Sequence, residues 1–478
     1  MELAAILLIP VATAGLCLAL TRRAAARATV IASALVLALV ALVVSRVVAR
    51  GAPASLGGWL VCDSLGALIL ALVAFVGLTA AIFSVGYMRH HPSPGGGDRY
   101  YALYNLFLTS MLAVPLLANI ALVWIAIALT TLASAFLVAY ADTPEALEAA
   151  WKYVVLTTLG AVVALLGVLF LYWGVRLAGG GPFTWAGLSA AAPAMPPRVL
   201  WMGFVLVLVG FGTKAGLAPM HTWLPDAHSQ APAPICALLS GVETTTALYA
   251  VLRLFPVLKA AGEGDAQGWF LVFGLISTGV AALLLVYVRD YKRMFAFSTV
   301  EHMGIVMVAM GLGDQAYFGA AFQIAAHALA KSFCFFAAGA VVLTAGTQEI
   351  AAVRGLIRLS PATAVAFLVG ALAIAGAPPF AVFLGEFTIL KAGLGAAHYV
   401  AAGLLALFVV VAFCAMMRHV NGMVFGEPGR PRAVMALPAT CSVALVVAVI
   451  PVVVLGIALP GGIDRLLAAS AAVLGGAP

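Results

Sequence analysis

Long apolar runs separated by short polar connections dominate this chain. They fall near residues 2–20, 28–48, 64–87, 100–118, 119–140, 153–174 and 199–217, and continue at 234–255, 268–288, 294–312, 316–344, 362–395, 399–425 and 435–459. Each is close to or beyond the roughly 20 residues that carry a helix across a bilayer. The stretch from 100 to 140 is too long for one helix and divides between Pro115 and Asn119. The pattern predicts an all-α polytopic membrane protein with about fourteen transmembrane helices. The longest connection, 175–198, is rich in Gly, Ala and Pro, and none is long enough to hold a soluble domain.

Composition excludes the soluble classes. The 478 residues are 65% hydrophobic and 9% charged, with a mean hydropathy of +1.16, whereas a soluble chain is about a quarter charged. The net charge of +7, from 24 Lys and Arg against 17 Asp and Glu, is therefore loop charge that sets orientation. Odd-numbered loops carry thirteen basic residues and even-numbered loops with the C-terminus carry seven, which puts the odd loops in the cytoplasm and both termini outside a cell inner membrane. The first apolar run lacks a basic segment before it and is read as a retained span. Six cysteines stand singly in apolar runs without a CxxC pair, so neither an iron–sulfur cluster nor a structural zinc is indicated.

The remaining charges lie where charge is expensive. Lys214, Glu243, Glu301, His302, His327, Lys331 and Glu386 fall inside apolar runs, with Lys391 and Arg418 nearer the ends of theirs. Ionisable groups persist at membrane depth when they are paired, hydrated or functional. Acids, amines and imidazoles together make up the composition of a proton relay. Lys214 sits in Gly212-Thr213-Lys214-Ala215-Gly216-Leu217-Ala218-Pro219 and Glu386 follows Gly376-Ala377-Pro378-Pro379, so each adjoins an expected helix break. Two interrupted segments in corresponding places point to inverted repeats. Spans four to eight (100–255) and nine to thirteen (268–425) form two five-helix units, after a three-helix segment (1–99) and before a C-terminal helix (435–478). His327 and Lys331 are four apart and share a helix face.

Past the first break, His221-Thr222-Trp223-Leu224-Pro225-Asp226-Ala227-His228 reads as a polar connection near the membrane surface, with His221, Asp226 and His228 as candidates for proton uptake. Its spacing matches no standard metal site. Without a GxGxxG, Walker-type or GxSxG motif, no cofactor is expected in this chain.

The run from Thr213-Lys214-Ala215-Gly216 through Pro219-Met220-His221-Thr222-Trp223-Leu224-Pro225-Asp226-Ala227-His228-Ser229 resembles the signature of the proton-translocating, antiporter-like membrane subunits. These occur in respiratory complex I, multisubunit cation/proton antiporters and membrane-bound nickel–iron hydrogenases. Leu147-Glu148-Ala149-Ala150-Trp151-Lys152-Tyr153, Ser298-Thr299-Val300-Glu301-His302-Met303-Gly304, His327-Ala328-Leu329-Ala330-Lys331 and the segment from Ala375 to Phe387 are most similar to the F-type subunits of hydrogenase-4. The resemblance implies fourteen helices with two inverted repeats, and proton movement through Lys214, Glu301, His302, His327, Lys331 and Glu386. It also implies membrane partner subunits and a peripheral arm bearing nickel–iron and iron–sulfur centres. Complex I, sodium/proton antiport and a non-conducting scaffold are the alternatives.

Two departures stand out. The family's fifth-span glutamate is missing, its expected place being Ala128. Glu243 stands in the eighth span, where complex I subunits carry a lysine. Glu243 is therefore expected to replace the missing partner of Lys214.

Overall fold

The computed structural model describes residues 1–91, 99–427 and 436–476. It is helical almost throughout. In chain order come α1 (Glu2–Cys17), α2 (Arg22–Arg50), a hairpin of β1 (Ala54–Leu56) and β2 (Leu60–Cys62), then α3 (Ser64–Tyr87), α4 (Tyr100–Ala113), α5 (Ile120–Val138) and α6 (Pro144–Leu177). The middle of the chain holds α7 (Trp185–Ala191), α8 (Pro197–Ala215), α9 (Trp223–Gln230), α10 (Ala233–Leu238), α11 (Thr244–Leu252), α12 (Leu254–Ala260), α13 (Ala266–Tyr287), α14 (Tyr291–Leu312) and α15 (Tyr317–Ala345). Last are α16 (Leu356–Leu359), α17 (Pro361–Ile374), α18 (Ala381–Gly395), α19 (Tyr399–Phe425), α20 (Ala439–Ile457) and α21 (Gly461–Leu474).

Among the described residues, eleven helical segments are long and apolar enough to cross a membrane, with α1 and α17 as shorter apolar helices. Burial sorts them. The rod Ala233–Ala260 is buried throughout its apolar window and α14 over 94% of it, whereas α2, α6, α19 and α20 bury one third. A helix apolar on all sides sits inside a bundle or faces lipid. The central rod, α14 and α15 thus form the interior, and the less buried helices present Leu, Val and Trp side chains outward.

Local chemistry sets the helix ends. Asn119 caps α5 by accepting from the amides of Ala121 and Leu122 (2.9 and 3.3 Å), and Asp290 caps α14 by accepting from those of Lys292 and Arg293 (2.7 and 2.9 Å). Each cap lies in a short antiparallel bridge, Asn119 with Thr184 and Asp290 with Glu349. The two interruptions also share a form. Gly216 ends α8 and Gly376 follows α17, both in the left-handed region (φ 80° and 75°) that glycine enters without penalty. Arg253, between α11 and α12, pairs with Asp63 at the start of α3 (2.6 Å) and lies over the Trp185 ring.

The 362–395 run is interrupted where the break was expected, giving α17 and α18. Other expectations are corrected. The 175–198 connection contains α7, capped by the Thr184 hydroxyl on the Gly187 amide (3.1 Å). The segment after the first break, expected as a connection, is a helix. Trp223, Leu224, Ala227 and His228 on α9 are fully buried, because they pack against α6 and α14. Past the last apolar run, α21 packs against α3 and α15, with the Ser470 hydroxyl donating to the Ser64 carbonyl (3.0 Å). Arg430 and Arg432, counted among the orienting charges, lie outside the described residues.

Candidate functional site: a buried charged axis

The rod between α10 and α12 is distorted where its acid sits. Leu239–Glu243 is one turn of π-helix, which leaves carbonyls without their usual helical donors. The following threonines supply replacements: Thr244, Thr245 and Thr246 hydroxyls donate to the carbonyls of Ser240, Gly241 and Glu243 (2.9, 3.0 and 2.7 Å). The Thr244-Thr245-Thr246 run thus gives three carbonyls of the wide turn a donor in an apolar interior.

That turn brings Glu243 to Lys214. The Lys214 ammonium lies 2.7 Å from Glu243 Oε1, and the two side chains are 3% and 0% exposed. Its other donors reach the Thr131 hydroxyl (2.7 Å) and the Tyr153 hydroxyl (2.5 Å). Three N–H groups thus meet three acceptors. Tyr153 in turn donates to Glu243 Oε1 (2.9 Å) and contacts the Ser134 hydroxyl (2.7 Å). Glu243 Oε2 is buried with no hydrogen-bond partner. Trp223 on α9 completes the setting: its indole N–H donates to the Thr213 carbonyl at the break (2.8 Å), and its ring packs at a tilt against Tyr153 and lies 5.9 Å from the ammonium. From α5, Thr131 and Ser134 reach the site, whereas Ala128 lies on a partly exposed face.

The π-turn also touches the next group. His327 Nε2 donates to the Ser240 carbonyl (3.1 Å), and its Nδ1 is a buried acceptor with no partner. The rings of His327 and His302 are 5.3 Å apart. His302 Nε2 donates to the Ile374 carbonyl at the second break (2.9 Å), while Nδ1 accepts from Gln323 (2.8 Å). These partners put the His302 proton on Nε2. One turn beyond His327, the Lys331 ammonium donates to the Ser298 hydroxyl (2.5 Å) and to the Phe295 carbonyl. Glu301 is buried within Coulombic range of Lys331 and of Glu386. Glu386 folds its carboxyl over Gly376, where any Cβ would overlap it.

The axis therefore runs Lys214, Glu243, His327 and His302, then Lys331, Glu301 and Glu386, with the π-turn as its joint. Lys391 and Arg418 lie on exposed faces and take no part in it. The three residues after the first break separate. His228 is wholly buried, donating from Nδ1 to the Leu224 carbonyl (2.7 Å), and His221 is nearly buried. Asp226 is gripped by Arg293 (2.5 Å) and Lys152 (3.3 Å). Thr131 and Ser134 carry no signal in the sequence, because hydroxyls in apolar helices commonly bond their own backbone. Among the described residues, no group of three His, Cys, Asp or Glu is placed to hold a metal.

Comparison with known proteins follows the same geography. The family described as NADH:quinone oxidoreductase/Mrp antiporter, TM, matches residues 118–413, and that of the complex I chain 5 N-terminus matches 58–101. A hydrogenase-4 component F homolog of Methylacidiphilum infernorum is 37% identical over 383 residues, covering 78% of this chain and 80% of that one. The NADH-quinone oxidoreductase subunit N of Desulforudis audaxviator is 30% identical, covering 85% and 83%. The chain spans about half (49%) of Escherichia coli hydrogenase-4 component B, which is 30% identical over 68% of this chain. In fold it superposes on a chain of an archaeal membrane-bound sulfane sulfur reductase (TM-score 0.90, 24% identity, 99% and 98% covered). A chain of the Mrp complex of a Dietzia species is also similar (TM-score 0.86, 22% identity, 99% and 97% covered).

Proposed function

We propose a role from one premise: the chain belongs to the NADH:quinone oxidoreductase/Mrp antiporter family of membrane subunits. It is a proton-translocating subunit that moves protons along the buried axis while electron transfer proceeds in other chains. The observation that carries this reading is the fully buried Lys214–Glu243 ion pair beside a helix break. Desolvating two charges costs several kcal/mol each, roughly. A structural pair gains little by it, whereas a relay needs a charge that its neighbours can stabilise or release. Lys214 and Glu243 form the first station, His327, His302, Lys331 and Glu301 the middle, and Glu386 the terminal donor or acceptor.

In this reading the helices number about fourteen and contain two inverted five-helix units, near 100–255 and 268–425, between a 1–99 segment and a 435–478 segment. The matching caps at Asn119 and Asp290, their matching bridges to Thr184 and Glu349, and the two left-handed glycines support that arrangement. Each glycine is followed ten residues later by a carboxylate, Asp226 and Glu386. The inner membrane, with both termini outside, is the location that loop charge favours. Proton uptake on the side of α9 would pass His221 and His228.

The partners are membrane subunits and a peripheral redox arm with nickel–iron and iron–sulfur centres, as in a membrane-bound hydrogenase or formate hydrogenlyase-like complex. The 37% identity to a hydrogenase-4 component F homolog supports that choice over a quinone-reducing complex. Purification from native membranes in mild detergent, with mass spectrometry of what stays bound, tests it. A hydrogenase large subunit with iron–sulfur partners is the expected result. Quinone-reductase subunits, or antiporter subunits alone, would overturn the assignment.

A further inference from the structure

Asp226 stands apart from the axis, yet its ties are unusual in joining three helices. It lies on α9, and Arg293 from the first turn of α14 (2.5 Å) and Lys152 from α6 (3.3 Å) both hold its carboxylate. Lys152 also pairs with Glu148 one turn back on α6 (2.5 Å). Beside Arg293, the buried Lys292 ammonium donates to the carbonyls of Ser229 and Ala231 (2.7 Å each), where α9 ends. The first turn of α14, itself capped by Asp290, therefore grips α9 at both its acid and its C-terminus.

The other end of α9 carries Trp223. Asp226 and Trp223 are three residues apart, one turn of a short helix. Trp223 holds the Thr213 carbonyl (2.8 Å), the residue next to Lys214, and its ring packs on the Tyr153 ring (4.9 Å) whose hydroxyl binds the ammonium. A displacement of α9 would be felt at both contacts.

We infer that Asp226 is a positioning residue for Lys214: held by Arg293 and Lys152, it fixes α9, and through Trp223 it fixes the groups that hold the Lys214 ammonium. The inference rests on the proton-translocation reading for its functional consequence, and on geometry alone for its structural one. It also ties the first break to α14, the helix that carries Glu301 and His302.

The test uses the full chain labelled with 5-fluorotryptophan in detergent, followed by fluorine NMR, with the Trp223 resonance identified by Trp223→Phe. Asp226→Asn and Arg293→Gln are each expected to move the Trp223 resonance. That of Trp201, whose indole binds Glu263 (2.6 Å), stays in place. Asp226→Glu restores the wild-type position, and the double variant shifts no further than the larger single one, because both changes open the same contact. In the assembled complex, proton translocation falls about three- to tenfold in Asp226→Asn, the scale of a partly exposed ion pair, and recovers in Asp226→Glu. If Asp226→Asn does not accumulate, Arg293→Gln carries the test alone, since that side chain is 44% exposed. An unmoved Trp223 resonance, or a moved one with unchanged translocation, would overturn the inference. A moved resonance in a protein whose wild type translocates nothing would sink the translocation reading and leave the positioning of Lys214 standing.

Discussion

Removing the charge of Glu243 while keeping its shape is the sharpest perturbation of the first station. Glu243→Gln retains a carbonyl oxygen where Lys214 and Tyr153 now donate, so hydrogen bonds at 2.7 and 2.9 Å can survive. What goes is the counter-charge. At 2.7 Å and an effective dielectric constant of about 20, that attraction is about 6 kcal/mol. Breaking one side of a buried pair typically costs about 3–5 kcal/mol, and the lower figure already corresponds to about a hundredfold. The expected result is a fall of about a hundredfold or more in proton translocation, measured as quenching of a pH-sensitive dye in liposomes holding the intact complex. Thr131 offers the complementary gain. Its hydroxyl touches the same ammonium from α5 (2.7 Å), so adding Thr131→Glu to Glu243→Gln returns a carboxylate to the site and restores part of the flux. Full activity in Glu243→Gln alone would refute the reasoning, because the ion pair would then be dispensable.

The surrounding groups give graded expectations. Tyr153→Phe removes an acceptor of Lys214 and a donor to Glu243; with charge-assisted bonds worth about 1.5–3 kcal/mol each, translocation drops about tenfold or more while the complex still assembles on native gels. Gly376→Ala forces a left-handed alanine, at about 1–2 kcal/mol, and drives a methyl into the Glu386 carboxyl, so flux is lost with little change in subunit content. Arg253→Ala strands Asp63, and because the pair is 12% and 22% exposed the destabilisation is about 2–3 kcal/mol, below that of a fully buried pair. It lowers the unfolding temperature, but flux per assembled complex stays at the wild-type level, since Arg253 lies roughly 15 Å along its helix from Glu243.

The breaks were legible because Gly and Pro beside a membrane-depth charge leave a mark in the sequence, and Lys214 and Glu386 both carry it. Glu243 could be singled out because an acid in an apolar run demands a partner. What the sequence did not reveal is geometry that apolar residues and hydroxyls share with ordinary packing. The π-turn at Leu239–Glu243 has no composition of its own, although the three threonines after it are its chemical compensation. Thr131 and Tyr153 look like any hydroxyl-bearing residue on a packed face until the fold sets them around one ammonium. Lys292 and Arg253 stand beside the ends of apolar runs, as loop charges do, yet Lys292 is wholly buried on backbone carbonyls and Arg253 is paired within the bundle. Position relative to a helix end does not disclose which side chains turn inward. The same limit hid α9, whose polar and proline residues read as a connection although its packing makes it a helix.

The central claim is that protons travel along one axis with Lys214 and Glu386 at its ends. The most direct measurement is the ratio of protons translocated to partner turnovers, in the intact complex reconstituted into liposomes with Lys214→Ala, Glu386→Gln or both. The account predicts that each single variant loses translocation while turnover in the partner subunits continues, and that the double variant is no worse than either. A double variant that translocates protons at the wild-type ratio would contradict it, leaving the chain a membrane scaffold.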